Sequence, residues 1–173
     1  MMSTAPTFTV LYDSTGDLFK NEFKDPEGRV IYNLTTLQTQ PRVTLLARTN
    51  EPLALHPTEP WRVTMHFGSE GELGHLHLGE HAVVPMAGHL RKKSGFSGRF
   101  RSFVAVDGNE YQWRPGSRRL ECYDKNDRLV ALYEWLLDGP SHARLEIKIG
   151  GWHILSELIA TLLLNRYAIR YEV

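Results

Sequence analysis

The most constraining feature of this chain is its C-terminal apolar run, Trp152-His153-Ile154-Leu155-Ser156-Glu157-Leu158-Ile159-Ala160-Thr161-Leu162-Leu163-Leu164-Asn165-Arg166-Tyr167-Ala168-Ile169. On a helical wheel its apolar side chains fall in every sector and no polar face emerges. A helix that is apolar all round must be buried, in a protein core or in a membrane. A spanning helix needs about 20 largely apolar residues. Here Glu157 and Arg166 leave only Leu158 to Asn165 between charges, so a core helix over about residues 152–169 is expected. The tail Tyr167 to Val173 also alternates like a strand, which leaves Asn165 as a second candidate end.

The preceding residues read as short strands. Turn-forming groups recur at Asp13-Ser14-Thr15-Gly16, Asp25-Pro26-Glu27-Gly28, Asp107-Gly108-Asn109, Pro115-Gly116-Ser117, Asp124-Lys125-Asn126-Asp127 and Asp138-Gly139-Pro140. Each supplies residues that tolerate positive φ or preset a turn. Between them polarity alternates, most clearly in Trp61 to Phe67, Glu110 to Arg114 and Arg144 to Ile149, the period of a half-buried strand. Further strands are expected at Phe8–Tyr12, Leu18–Phe23, Arg29–Thr36, Arg42–Arg48, Glu72–Leu78, His81–Met86, Arg99–Val106, Arg119–Tyr123 and Arg128–Leu137. The total is about twelve between residues 8 and 149, at the spacing of an all-β sandwich or barrel.

Helix and strands constrain each other. Eight strands close into a barrel filled by its own side chains, whereas more strands leave a lumen. A helix with its side chains is about 10–12 Å across. A closed antiparallel barrel of about twelve strands around a central C-terminal helix satisfies both patterns. A sandwich with the helix on one side is the alternative, and it would expose Leu, Ile or Trp on the outer sector of the helix. The Pro-rich stretch Glu51 to Pro60 suits a long loop, so residues 1–173 are expected to form one domain.

Apolar residues make up 42% and charged residues 23%, enough for a real core. Lys plus Arg equals Asp plus Glu at 20 each, which argues against a protein built to grip nucleic acid. A single cysteine, Cys122, forms no internal disulfide, and Met1 to Val10 lacks the pattern of a secretory signal; a cytoplasmic home is expected.

Lys92-Lys93-Ser94-Gly95-Phe96-Ser97-Gly98-Arg99-Phe100-Arg101-Ser102-Phe103, followed by Asp107-Gly108-Asn109-Glu110-Tyr111-Gln112-Trp113-Arg114 and Arg119-Leu120-Glu121-Cys122-Tyr123, resembles a fungal family of unknown function. That family is similar in architecture to the tubby C-terminal, LURP-one and phospholipid-scramblase domains. The resemblance is specific from about Lys92 to Trp135, and it implies a twelve-stranded barrel around a hydrophobic helix. Some tubby domains bind phosphoinositides and scramblases associate with membranes. Their ligand residues do not align one by one onto this chain.

Two groups of residues are candidate sites. Arg91, Lys92, Lys93, Arg99 and Arg101, with the glycines and phenylalanines among them, could form a basic loop that meets anionic lipid at a membrane surface. The plain alternative is a solvated hairpin. His66, His75, His77, His81 and His89 lie close in sequence, and His75-x-His77 puts two imidazoles on one face of a strand. That face is expected to look outward if Leu76 and Leu78 are buried.

Nucleophilic catalysis finds little support. There is no Gly-x-Ser-x-Gly elbow, phosphate-binding glycine loop or Cys-x-x-Cys pair, and Cys122 reads as a small buried hydrophobe. Glu157 and Arg166 are expensive if buried unpaired. Nine residues apart, they are separated by about 13 Å along a helix, so each needs a barrel mouth or a strand-borne partner, an arginine in the case of Glu157. The expectation is a non-catalytic binding module without a cofactor, with anionic lipid or phosphoinositide as its leading ligand. A metal-dependent enzyme using His75, His77, His81 and His89 is the alternative, and a protein-interaction scaffold is the third.

Overall fold

A computed structural model of the chain describes residues 8–49, 62–69, 71–80, 83–93 and 100–173. The first half of the sheet is β1 (Phe8–Asp13), β2 (Asn21–Lys24), β3 (Val30–Thr39), β4 (Arg42–Arg48), β5 (Arg62–His66), β6 (His75–Leu78) and β7 (Val83–Pro85). One helical turn, α1 (Met86–His89), leads into β8 (Arg91–Lys92) and β9 (Arg101–Val104). Then come β10 (Glu110–Gly116), β11 (Arg119–Asp124), β12 (Leu129–Trp135) and β13 (Ala143–Lys148). A 3-10 turn, Ile149–Ile154, delivers the chain into α2 (Leu155–Tyr171).

All thirteen strands belong to one antiparallel sheet, in the order β7-β6-β5-β4-β3-β2-β1-β13-β12-β11-β10-β9-β8. Meander connections dominate because short turn-rich links favour pairing between sequence neighbours. Three hairpins share one turn geometry. The N–H of Asp25, Ala105 and Asp124 donates to the carbonyl of Arg29, Asn109 and Arg128, while Gly28, Gly108 and Asp127 take positive φ. Positive φ is the backbone state that the Asp/Asn/Gly composition of these turns accommodates.

The expected closed barrel is corrected by this order. β7 and β8 end the sheet and are not paired with each other. β7 has three residues and finishes on Pro85, which has no N–H to donate, and β8 has two residues. Between them α1 packs on β6, β7 and β9, and the apolar side chains of Met86 and Leu90 are buried there. The seam is therefore covered by a helical turn in place of a ladder. Thirteen strands stand where about twelve are expected, because Arg91–Lys92 forms a strand of its own.

The central helix matches its sequence pattern. Every residue from Ser156 to Asn165 is buried, so no sector of that part of α2 faces water; Ile169 and Arg170 in the last turn are exposed. Its side chains reach strands on all sides. Ser156 bonds Tyr32 of β3 at 2.8 Å, Thr161 accepts from the Trp113 indole of β10 at 2.9 Å, and Arg166 donates to Asp13 of β1 at 3.2 Å. The helix continues to Tyr171, past Asn165, and ends on Glu172 in the left-handed conformation. Among the described residues no helix is long and apolar enough to cross a membrane.

The two helix charges find different partners. Arg166 pairs with Asp13, as a buried cation requires. The Oε1 of Glu157 takes the main-chain N–H of Val106 at 2.9 Å, and the side chain sits in the first turn of α2, where the helix dipole favours an anion.

Candidate functional site

The described part of the basic stretch divides between an exposed edge and the interior. Arg91 and Lys92 are exposed on the edge strand β8, and Lys93 just beyond them pairs with Glu110 at 2.7 Å. Arg99 lies outside the described residues. Arg101 turns inward with Phe103, is 7% exposed, and donates to the main-chain oxygen of Val173. Alternation along β9 explains the inward turn, since Arg101 and Phe103 share a face.

The histidines assemble, in a different set from the expected one. β5 and β6 pair antiparallel with His66 directly opposite His75, and His77 lies two residues further on the same face. Val63, Met65, Leu76 and Leu78 fill the inner face and are buried, so strand alternation points the three imidazoles outward. The rings of His66 and His75 stack with centroids 4.6 Å apart, and His77 lies 5.2 Å from His66. One ring nitrogen from each of the three lies within 4.8 Å of the others. His81 is outside the described residues, and His89 sits on α1 against Phe103, 6.1 Å away, apart from this group.

His66 was visible in the polar phase of residues 61–67, but its pairing with His75 is a property of register, which sequence spacing does not show. Gly74 maintains that register. A Cβ at position 74 would stand 1.8 Å from the carbonyl oxygen of His66, so only glycine lets β6 start this close to the end of β5. The Gly74 carbonyl also accepts the Met86 N–H at 2.9 Å, tying the site to α1. Burial, and then the neighbouring His75 and His77, push the His66 imidazole below its usual pKa. Both effects favour the neutral form, the one that binds metal.

A second polar cluster joins Asp107, Tyr111 and His153. The Asp107 carboxylate accepts from the Tyr111 hydroxyl at 2.7 Å and lies 2.6 Å from Nε2 of His153. Burial pushes the Asp107 carboxyl up, but the hydrogen bonds from Tyr111, the Asn109 N–H and His153 outweigh it and hold the pKa at about 2. The cluster latches the β9–β10 turn to the entry of α2. Cys122 is fully buried and burial pushes its thiol up, so it is inert packing.

Fold and site together define an open antiparallel sheet wrapped on a buried helix, with an imidazole triad on its outer face. The chain belongs to a family of unknown function, DUF6593, whose model matches residues 15–170. That span runs from the turn after β1 almost to the end of α2. No curated protein and no solved structure matches the chain.

Proposed function

We propose that the protein is a binding module whose outer sheet face takes a divalent transition-metal ion through His66, His75 and His77. The observation that carries this reading is the convergence of three ring nitrogens within 4.8 Å on adjacent strands. Imidazole donors suit zinc, copper and nickel, and a carboxylate-free set disfavours magnesium and calcium. Metal–nitrogen bonds of about 2.0–2.1 Å in tetrahedral geometry set nitrogens about 3.3 Å apart. Small χ rotations of outward-facing rings close that gap. Three protein ligands leave a coordination position open toward solvent on an exposed sheet face, an arrangement for binding and presenting an ion.

Metal content and titration calorimetry of protein without a histidine tag test the proposal. One equivalent of zinc or copper is expected, with loss on His66→Ala or His75→Ala and retention in His89→Ala. Sub-stoichiometric metal, or equal binding by the triple variant lacking all three imidazoles, overturns it.

The resemblance to tubby-like domains motivates a second reading, contact with an anionic membrane surface, and the exposure of Arg91 and Lys92 supports it. Neutralising both should abolish co-sedimentation with vesicles containing phosphatidylserine. Unchanged sedimentation disposes of that reading and leaves the metal site standing.

A further inference from the structure

A cleft of about 470 Å³ opens where the C-terminal end of α2 emerges from the sheet. Its walls include Phe19 from the β1–β2 connection, Phe67 just after β5, and Tyr167 and Tyr171 one helical turn apart on α2. The rings form one connected set. Phe19 meets Phe67 edge-on at 5.6 Å, Phe67 lies 4.6 Å from Tyr167, and Tyr167 lies 4.5 Å from Tyr171. The Arg42 guanidinium is held 3.7 Å above the Phe19 ring. A guanidinium held over a ring face can still donate its N–H groups to another acceptor.

Arg42 has no carboxylate partner among the described residues. The nearby Glu72 turns its carboxylate onto the Ser69 N–H at 3.3 Å. Among the described arginines, Arg29, Arg114, Arg119, Arg128, Arg144 and Arg166 each pair with an acid. A cation that is stacked, oriented and left without an anion, at the rim of an aromatic cleft, is complementary to a flat ring bearing a negative group. The volume lies within the range of about 300–1,000 Å³ typical of small-molecule sites.

We infer that this cleft is a binding site for a small aromatic carboxylate, its ring against Phe67 and Tyr171 and its carboxylate paired in bidentate fashion with Arg42. Arginine is the residue suited to such a pair, because its fork matches both oxygens. The site is independent of the imidazole triad, which occupies the outer face of the sheet.

The test compares 2-naphthoate with neutral 2-naphthalenemethanol, matched in ring but not in charge, by titration followed through amide chemical shifts. Saturable naphthoate binding is expected, at least tenfold tighter than the alcohol, with the largest shifts at residues 67, 68 and 171. Arg42→Gln should erase the preference for naphthoate over the alcohol. Equal affinities for the two probes in the unaltered protein overturn the inference, as does failure of naphthoate to saturate. Shifts centred on Arg91 and Lys92 would also overturn it. If Arg42→Gln loses its fold, the comparison of probes on the unaltered protein still decides.

Discussion

Asp13 gathers four donors in the core, and its removal is the sharpest test of how the helix is held. The side chain is fully buried; it accepts the Gly16 N–H, the Asn21 amide and the Tyr133 hydroxyl, each at 2.7 Å, and pairs with Arg166 at 3.2 Å. Arg166 is nearly buried, with 10% of its side chain exposed, and it also donates to the Gly16 carbonyl at 2.7 Å. Asp13→Ala strands the guanidinium and three further donors. Breaking a buried pair by removing one partner costs about 3–5 kcal/mol, set against a total domain stability of about 5–15 kcal/mol. The midpoint of thermal unfolding should fall by about 6–20 °C for a chain of this size.

Guanidinium unfolding followed by tryptophan fluorescence measures the loss. A double-mutant cycle with Arg166→Ala isolates the pair. The double variant should be less destabilised than the sum of the two single variants, because removing the cation removes the unpaired charge. A loss below about 1 kcal/mol for Asp13→Ala, or strict additivity in the cycle, would refute the claim that this pair fastens α2 to β1.

Gly74→Ala should be strongly destabilising and should weaken zinc binding more than tenfold, since the new methyl overlaps the His66 carbonyl and forces the two strands apart; paired melting and calorimetry check both effects. The Asp107 carboxyl has a pKa held down at about 2, so its contribution is present above the unfolded value near 4 and disappears as the pH falls toward 2. Asp107→Asn should therefore remove up to about 2 kcal/mol at neutral pH and flatten the stability profile between about pH 4 and 2, measured by denaturation at several pH values. Zinc at a hundredfold excess over its dissociation constant should stabilise the fold by about 2.7 kcal/mol in a thermal-shift assay, and the His75→Ala protein should show no such shift. Glu157→Leu deprives the half-buried Val106 N–H of its acceptor and should cost about 1–3 kcal/mol, with Glu157→Gln costing less in the same denaturation experiment.

The helix and most strands are legible in the sequence because each is written in a local period. Trp113 and Tyr111 alternate with Gln112, and the run from Leu155 to Ala168 is apolar in every sector, so burial follows from neighbours alone. Closure is another matter. Whether β7 meets β8 depends on lengths of two and three residues and on Pro85, features too short to leave a period. The imidazole site shows the same limit. His75-x-His77 fixes a face, but His66 joins it only through the β5–β6 register, with Gly74 permitting the approach. Arg101 misleads for a related reason. It sits in a cationic run, yet its phase is that of Phe103, and strand phase decides which way it points.

The open seam has a consequence for what holds the sheet in its curved form. In a closed barrel the last ladder fixes the circumference, and an edge strand is otherwise free to splay or to pair with another chain. Here the two edges are short, and the polar bonds of the helix do the fastening from within. Ser156 holds β3, Thr161 holds β10, Glu157 holds the turn after β9, and Arg166 holds β1. Each of these residues is buried or nearly so, where a lost hydrogen bond is costly, and together they span both halves of the sheet. The apolar sectors of α2 fill the interior, while its few polar groups set how far each half can open. The imidazole triad on β5 and β6 lies on the two strands just inside the edge strand β7, and the Arg42 cleft lies where the helix emerges. An ion bridging β5 and β6 would brace the half of the sheet that ends at β7.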